Sequence, residues 1–349
     1  MPSPLADKHR ALLLRVGAVA VLVVVVVASY RLFISRGPAP LVVYCAHDSI
    51  YADGILRAFE ARTGIPVAVR YDTEATKSLG LVEMILEEKA APRCDVFWNN
   101  EVLGTMRLQK SGVLHPYKGP GFDRIPASFK DPDGHWVGFA ARLRVWIVNT
   151  NRLRASQETV DGFLAGPLDR VAIAKPLYGT TFTQYCILWN LWGEQKLKSW
   201  HGDCRARGIR EVAGNAQVRS AVAEGTCDLG YTDSDDFFVA KDDGKPVAML
   251  PIRLEDGRTI CIPNTVSIIE GTRRPAEASQ LADYLLSQET EVALARAKSR
   301  QIPLGPVNEA DLPEEVVRMK AWAAEGYPLS ALGSAPEACL AWLKAEYVQ

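Results

Sequence analysis

The sequence predicts an α/β protein built from two doubly wound lobes with a ligand cleft between them, preceded by an N-terminal hydrophobic helix. Three observations support this prediction. Short apolar strands alternate with amphipathic helices in two separate runs of the chain. A long strand-like stretch without a helix, residues 134–151, separates those runs and suits a segment that crosses from one lobe to the other. An uninterrupted apolar run occupies residues 16–28.

The N-terminal segment combines positive charge with this apolar run. Lys8, Arg10 and Arg15 precede it, a pattern typical of a secretory signal peptide. A membrane span needs about 20 apolar residues, which the segment approaches when the residues before Arg15 are included. Residues 1–36 are therefore either a signal peptide or a membrane anchor plus the start of a linker, with residues 11–30 as the anchor. Either alternative exports the rest of the chain, so we expect a periplasmic or extracytoplasmic protein.

Charge and cysteine content exclude several classes of protein. The chain has 40 Lys and Arg against 41 Asp and Glu, which gives no support to nucleic-acid binding. Its seven cysteines form no Cys-x-x-Cys motif, so neither a redox motif nor a zinc ribbon is predicted. Several lie inside apolar runs, which favours a role as small buried hydrophobic side chains.

The first run of the pattern predicts three strands and three helices. Each strand is a short apolar run, and each helix has an apolar face. In chain order they are a strand at 41–45, a helix at 50–63, a strand at 66–71, a helix at 78–89, a strand at 95–98 and a helix at 101–110. Strand, helix and strand at this spacing predict a parallel sheet with right-handed crossovers.

The pattern resumes after the crossing stretch. It predicts strands at 171–174 and 228–231, helices at 180–197 and 217–224, strands at 249–252 and 259–262 that return to the first lobe, and helices at 275–286 and 289–298. The expected boundaries are 41–141 with 237–306 for the first lobe, 142–236 for the second lobe, and 307–349 for a C-terminal helical extension.

Polar residues follow the carboxyl ends of five predicted strands. Ligands of open parallel sheets bind beyond these ends, so we expect the residues to converge on one cleft. The candidate ligand-binding residues there are His47, Asp48, Ser49, Glu74, Lys77, Asn99, Asn100, Glu101, Gly179, Thr180, Thr181, Tyr231, Asp233 and Asp235. Some have a structural alternative, because Asp48 and Ser49 stand where a helix cap is expected.

Two features suit an anion. Residues 179–181, Gly-Thr-Thr, open a helix whose free N–H groups and hydroxyls attract anions, although a turn followed by a cap would explain them equally. Arg142 and Arg144 are two residues apart on the crossing strand and share one face, and paired guanidinium groups suit a carboxylate or a phosphate.

No common catalytic template fits the chain. Of its five histidines only His47 stands at a strand end, and there is no nucleophile elbow, zinc-protease helix, Walker loop or dinucleotide fingerprint. These absences give no support to an enzyme, and we predict that the chain is not one.

Seven short motifs, taken together, match a known family. They are VYCAHD (43–48), FEARTGI (59–65), DVFWNNE (95–101), GFAARLRV (138–145), PLYGTT (176–181), DSDD (233–236) and IPNT (262–265). Across about residues 41–306 the chain resembles the type 2 periplasmic solute-binding proteins of ABC transporters, in particular their ferric-iron-binding group.

The resemblance implies two lobes that close on a ligand and deliver it to an ABC transporter permease in the membrane; we expect a monomer. In the iron-binding group it implies a histidine near the first strand end, an acidic residue after the third strand, an adjacent tyrosine pair and a synergistic anion. Here the corresponding residues are His47, Glu101 and, where the tyrosine pair would stand, Tyr231 and Asp233. The expected ligand is a ferric ion with an anion, or a small anionic solute.

Two alternatives of other classes stay open. The first is an exported metal-assisted hydrolase that uses His47, Asp48 and Asp233. The second is a membrane-tethered ligand sensor that reports to a membrane partner.

Overall fold

The computed structural model describes residues 39–72 and 79–347. The chain divides into two compact units, Met1–Pro40 and Leu41–Gln349, and the following description concerns the second. The predicted signal peptide or anchor, residues 1–36, lies outside the described residues. Among the helices of the described ranges, none has the length and apolar character needed to span a membrane.

Three parallel strands carry the first polar corners. The elements of this part are β1 (Leu41–Cys45), α1 (Ser49–Thr63), β2 (Val67–Tyr71), α2 (Leu79–Glu87), a 3₁₀ helix (Glu88–Ala90), β3 (Val96–Asn99) and α3 (Leu103–Lys110). β1 pairs in parallel with β2 on one side and with β3 on the other. α1 buries Ala52, Leu56 and Phe59 and ends at Gly64, whose φ of 71° gives the left-handed C-cap. The corners after β1 and β3 therefore lie at the same edge of the sheet.

Two long antiparallel strands, β5 (Val137–Asn149) and β10 (Cys261–Ile269), join the halves of the sheet. The elements before β5 are β4 (Leu114–His115), α4 (Pro120–Arg124) and a 3₁₀ helix (Ala127–Phe129). All 13 residues of β5 are buried, and its pairing with β10 shifts register between Ile262 and Asn264. Ala140 has a φ of 44°, which is rare for a residue with a Cβ. These irregularities mark where the chain passes from one lobe to the other.

The second half of β5 belongs to a second group of strands. Its elements are α5 (Gln157–Leu164), β6 (Val171–Ala174), α6 (Gly179–Ala206), β7 (Arg210–Val212), α7 (Asn215–Ala223), β8 (Leu229–Asp233), α8 (Ser234–Asp242) and β9 (Val247–Pro251). The strand order is β2-β1-β3-β10-β5-β8-β6-β7, with β4 on β10 and β9 on β5. We call β1–β4 and β10 with their helices lobe 1, and β6–β9 with theirs lobe 2.

One predicted strand lies in the other lobe. The expectation that the strand near 249–252 returns to lobe 1 is wrong, because β9 pairs with the second half of β5, from Val145 opposite Pro251 to Asn149 opposite Val247. Only residues 243–246 separate α8 from β9, so the connection is too short to leave lobe 2.

The C-terminal part is helical, and its first two helices pack on lobe 1 whereas its last helix packs on lobe 2. Its elements are α9 (Pro275–Leu285), α10 (Gln288–Arg296), a 3₁₀ helix (Glu309–Asp311), α11 (Glu314–Ala324), a 3₁₀ helix (Leu329–Leu332) and α12 (Ala335–Tyr347). α12 packs along α6, where the ring of Trp342 lies 5.8 Å from that of Trp189. Its first turn reaches lobe 1, because Lys110 of α3 pairs with Glu337 at 2.5 Å.

Separate apolar clusters fill the two lobes. Phe59, Trp98 and Phe139 belong to the cluster of lobe 1, whereas Tyr185 and Tyr231 belong to a cluster centred on lobe 2 that extends to Leu103 of lobe 1. All seven cysteines are buried and none is in a disulfide.

Candidate functional site

The corner after β1 carries a buried histidine. His47 is 4% exposed, and its ring centroid lies 5.8 Å from that of Tyr51 and 5.5 Å from that of Trp98. Its Nε2 lies 3.2 Å from the side-chain amide nitrogen of Gln301. Because that amide nitrogen only donates, His47 Nε2 accepts the hydrogen bond. These contacts fix the orientation of the ring.

Tyr51 connects this corner to lobe 2. Burial, followed by the charges of Asp235, Asp48 and Asp236, raises the pKa of the Tyr51 hydroxyl to about 12. The side chain of Asp48 makes no capping hydrogen bond to α1, so the capping alternative is wrong for this side chain. Ser49, the first residue of α1, is exposed. Acidic groups of both lobes therefore lie near one phenol.

Glu101 closes the first turn of α3. Its Oε2 accepts the N–H of Leu103 at 2.5 Å, and its Oε1 accepts the N–H of Gly104 at 2.7 Å and a side-chain N–H of Asn99 at 3.2 Å. Burial raises the pKa of the Glu101 carboxyl, and these hydrogen bonds oppose that shift. Moving the carboxylate towards a metal would expose two buried N–H groups. We therefore do not assign Glu101 or Asn99 to a metal site.

Arg144 and Asp233 form a buried ion pair in lobe 2. Arg144 is fully buried, and its Nη1 lies 2.8 Å from Asp233 Oδ1. Asp233 Oδ2 accepts the hydroxyl of Thr180 at 2.6 Å and the side-chain amide of Asn215 at 2.9 Å. Both oxygens of Asp233 are thus already used. The predicted metal-ligand role of Asp233, and its role in the hydrolase alternative, would require this network to break.

The two arginines of β5 keep unused donors. Arg142 Nη2 donates to the carbonyl of Asn100 in lobe 1, and its Nε lies 3.6 Å from Asp233 and 4.0 Å from Asp235. Arg142 Nη1 and Arg144 Nη2 are buried and have no hydrogen-bond partner among the described residues. A buried donor without a partner costs about 1–3 kcal/mol, so an anion that accepted from these nitrogens would stabilise the protein.

The first turn of α6 is open to an anion. Tyr178 at the N-cap makes no side-chain hydrogen bond to the helix, and Gly179 has a φ of 55°. The hydroxyl of Thr180 is committed to Asp233, and that of Thr181 donates to Asn215 at 3.1 Å. The backbone N–H groups of the turn have no intrahelical acceptor, and these N–H groups are the donors that bind anions at helix N-termini.

Three carboxylates gather where β8 leads into α8. One oxygen from each of Asp233, Asp235 and Asp236 lies within 4.8 Å of the others. Asp236 also accepts the hydroxyl of Thr232 at 2.9 Å and lies 3.6 Å from Arg219. Burial, together with the charges of Asp235 and Asp233, raises the pKa of Asp236 to about 7. A bound cation would relieve this repulsion between like charges.

Some predicted residues lie elsewhere. Tyr231 packs in the core of lobe 2, with its ring centroid 3.9 Å from that of Trp146, and burial raises the pKa of its hydroxyl. An aromatic ring gains more from this apolar contact than from exposure beside the carboxylates, so we do not assign Tyr231 to the metal site. Glu74 and Lys77 lie outside the described residues.

Comparison with known proteins identifies the family. Residues 41–297 match the sequence model of the family described as bacterial extracellular solute-binding protein. The chain belongs to this family. In this solute-binding protein the polar residues that follow the strand ends lie within the matched range, whereas Gln301 and the helices α11 and α12 come after residue 297.

Two related proteins come from Synechocystis sp. The solute-binding protein is 28% identical over 161 residues to one named iron uptake protein A2, which covers 44% of this chain and 46% of that protein. It is 27% identical over 193 residues to iron uptake protein A1, covering 53% of this chain and 50% of that protein. The chain thus spans about half the length of these relatives.

Solved structures share the fold over most of the chain. Iron-bound HitA from Pseudomonas aeruginosa superimposes with a TM-score of 0.74 at 20% identity, over 89% of this chain and 100% of that one. The apo ferric ion-binding protein A from Pasteurella haemolytica gives 0.75 at 21% identity, over 88% and 98%. AfuA from Actinobacillus pleuropneumoniae with bound fructose-6-phosphate gives 0.72 at 19% identity, over 89% and 98%. The predicted architecture of a type 2 periplasmic binding protein is confirmed.

Four residues of the site in this solute-binding protein are missing from the sequence prediction. Tyr51 could have been predicted, because it is an aromatic residue in the first helical turn after His47 and Asp48. Asp236 follows directly after the predicted Asp235. Asn215 comes after β7, whose three residues are too few for periodicity to reveal. Gln301 lies in a connection remote in sequence, and no pattern points to it.

Proposed function

We propose that this protein captures a ferric ion between its lobes outside the cytoplasm and passes it to the permease of an ABC transporter. One observation carries the proposal: the carboxylates of Asp233, Asp235 and Asp236 lie within 4.8 Å of one another, and the charges of Asp235 and Asp236 contribute to the raised pKa of Tyr51 in the other lobe. Anionic oxygens are hard ligands that suit a small, highly charged cation. The names of the two Synechocystis relatives and the iron-bound HitA structure support this choice of metal.

The ligands we propose come from both lobes. Asp235 and Asp236 supply carboxylates from lobe 2, while Tyr51 supplies a phenolate and His47 an imidazole from lobe 1. Coordination by His47 Nε2 would replace its hydrogen bond from Gln301. The positive charge of the ion lowers the pKa of any group that it binds, which favours loss of a proton from Asp236 and from Tyr51. Asp233 stays paired with Arg144 and holds the strand end that positions the other two acids.

An anion completes the proposed site. Arg142 Nη1 and Arg144 Nη2 are buried donors without a partner among the described residues, and the first turn of α6 adds backbone N–H groups. Guanidinium groups bind carboxylate and phosphate oxygens well. The anion offsets part of the charge that the ferric ion brings, and it lets the arginines remain beside a cation.

Closure is the mechanism we propose, and no covalent step is involved. Ligands from both lobes meet the ion only when the lobes are together, so the ion stabilises the closed form by those added contacts. The permease then distinguishes a loaded monomer from an empty one by the relative position of the lobes.

Iron titration of the purified, metal-free full chain tests the proposal. Adding ferric nitrilotriacetate should load one ion per chain and produce the visible absorption of a phenolate bound to ferric iron. Tyr51→Phe should remove that absorption, because it deletes the proposed phenolate. Tyr44→Phe is the matched control, since the Tyr44 hydroxyl bonds to Glu88 in lobe 1. Absence of iron binding, or an unchanged absorption in Tyr51→Phe, would contradict the proposal.

A small anionic solute without metal is the second candidate. The unpartnered nitrogens of Arg142 and Arg144 favour it, and AfuA binds a sugar phosphate on the same fold. Calorimetric titration of the metal-free protein with fructose-6-phosphate separates the two candidates. Tight binding without iron, lost in Arg142→Gln, would favour the anionic solute over the ferric ion.

A further inference from the structure

An apolar cavity of about 360 Å³ lies where both lobes meet the C-terminal helix. Its walls come from α3 of lobe 1, from the start of α6 in lobe 2 and from α12. The apolar lining includes Leu103, Met106, Leu177, Phe182 and Leu340. Pockets that bind small organic ligands have volumes of about 300–1,000 Å³ and are mainly apolar with a few polar groups. In size and lining this cavity is a small-ligand pocket.

One wall of the cavity lies outside the region that matches the family. The match ends at residue 297, whereas α12 begins at Ala335. α12 is fixed to lobe 2 by packing along α6, and to lobe 1 by Lys110, which pairs with Glu337 at 2.5 Å and donates to the carbonyl of Gly333 at 3.3 Å. The C-terminal extension of this chain therefore completes the pocket by supplying one of its walls.

The wall of the cavity contains charged side chains of both signs. Of the carboxylates in its wall, Glu337 is paired with Lys110, and Glu101 accepts two backbone N–H groups of α3. Lys344 also lines the cavity, and it makes no ion pair with any described residue. Tyr178 and Gly179 at the uncapped start of α6 form part of the wall as well. Lys344 and the backbone N–H groups at the start of α6 favour a ligand with negative charge.

A buried arginine that does not itself line the cavity lies beside the first turn of α6. Arg144 is fully buried, and its Nη1 lies 3.3 Å from the hydroxyl of Thr180 in the first turn of α6. Its Nη2 has no hydrogen-bond partner among the described residues. A buried guanidinium with an unused nitrogen beside an open helix N-terminus provides donors for a carboxylate or a phosphate.

We propose that this cavity binds an amphipathic organic anion, with its charged group at the first turn of α6 and its apolar part against α3 and α12. The inference rests on the proposed function, because the charged group takes the anion position described there. It adds the chemical class of that anion and gives α12 a role in selecting it. The cavity shares none of its lining residues with the carboxylate cluster, so the anion binds with or without a metal.

Calorimetry on the metal-free full chain tests the inference with straight-chain carboxylates. Octanoate should bind saturably, one per chain, and more tightly than butanoate, with about a fourfold gain in affinity for each added methylene that is buried. Inorganic phosphate should weaken octanoate binding by competing for the start of α6, and 1-octanol should bind about tenfold more weakly because it lacks the charge. Equal affinities for butanoate and octanoate, or no effect of phosphate, would overturn the inference.

Two substitutions on α12 locate the site. Ala341 lines the cavity, so Ala341→Trp should fill it and weaken octanoate by at least about tenfold. Ala338 is exposed on the same helix and does not line the cavity, so Ala338→Trp should bind octanoate like the parent. Similar melting temperatures of the two variants verify folding. An unchanged octanoate affinity in Ala341→Trp overturns the inference. If the parent protein binds octanoate but does not bind iron, the ferric proposal alone is overturned.

Discussion

Single residues decide which polar groups are available to a ligand. Glu101 and Asp233 hold their oxygens in hydrogen bonds to the protein, whereas Asp236 shares a crowded position with Asp235. Burial, followed by the negative charges of Asp235 and Asp233, raises the pKa of Asp236 and makes it easier to protonate. A carboxyl group that keeps its proton near neutral pH must lose it to bind a cation, so pH reports directly on its role.

The pH dependence of Asp236 gives the first prediction. Its pKa is raised to about 7 in the folded protein from an ordinary value of 3.8, so the folded state holds a proton that the unfolded chain releases. The stabilisation by this proton is complete below about pH 4 and is lost as the pH rises through about 7. Urea unfolding of the metal-free protein should therefore show stability falling across this window, and Asp236→Asn should flatten the profile.

The same proton should compete with iron. Affinity for ferric ion should rise with pH by about a hundredfold per unit below about 7, because Asp236 and Tyr51 each lose a proton, and by about tenfold per unit above it, where only Tyr51 does. Chelator competition at several pH values measures this, and Asp161→Asn, at an exposed position on α5, is the control. A profile for the parent protein that Asp236→Asn leaves unchanged would remove Asp236 from the site.

Among the elements, α10 holds the crossing of β5 in place. Glu291 is fully buried on this helix and accepts the N–H groups of Ala140, Leu304 and Gly305 at 2.9, 2.8 and 3.1 Å. It also pairs with Arg124 at 2.6 Å. Ala140 has its left-handed conformation at this point, so the carboxylate stabilises a strained backbone where the two lobes join.

Removing Glu291 should destabilise the protein strongly. Glu291→Ala leaves a partly buried guanidinium and three N–H groups without their acceptor, and breaking such a pair costs about 3–5 kcal/mol. Glu289→Ala on the same helix is the control, since its pair with Arg62 is exposed and contributes about 0–1 kcal/mol. Urea unfolding measures both. Equal losses in the two variants would show that Glu291 does not hold the crossing.

Sequence periodicity predicts most helices and strands, because burial of one face imposes a periodic pattern of apolar residues. The same pattern does not show which strands pair with each other. The helix predicted at 101–110 begins at Leu103, since Glu101 folds back as its cap. The helix predicted to end at residue 197 continues to Ala206, with non-helical angles at Gly193. β9 has the expected composition, yet its lobe follows from the length of a connection. The local sequence pattern thus predicts whether an element is a helix or a strand better than it predicts which elements lie next to it.

For the whole molecule, strand ends predict that polar corners of both lobes meet, and the structure brings several together. The influence of Asp235 on the pKa of Tyr51 crosses between lobes, and Arg142 on the crossing strand links Asn100 of lobe 1 with Asp233 of lobe 2. Which atoms of Asp233 and His47 are available to a ligand depends on their hydrogen bonds with Asn215 and Gln301, two residues distant in sequence. Sequence spacing does not predict either bond. The sequence therefore predicts where the site lies but not which residues bind the ligand.

Closure of the lobes can be measured because the seven native cysteines are buried and should not react with a label. Ile50 of lobe 1 is 77% exposed and Leu191 of lobe 2 is 37% exposed, so Ile50→Cys with Leu191→Cys accepts a spin label on each lobe. Ferric ion with an anion should shorten and narrow the distance distribution between the labels, because only the closed form has all the proposed ligands in contact. A pair within lobe 2, Leu191→Cys with Lys245→Cys, should not change.

The same measurement in a chain with Asp235→Asn and Asp236→Asn decides whether the carboxylates drive the closure. An ion can shift the equilibrium only by as much as it binds the closed form more tightly than the open one. Without the two carboxylates that difference is lost, so the labelled variant should keep its metal-free distribution when iron is added. If iron shortens the distance equally in this variant, the closing contacts lie elsewhere. If iron leaves the distance in the parent unchanged, capture does not proceed by closure.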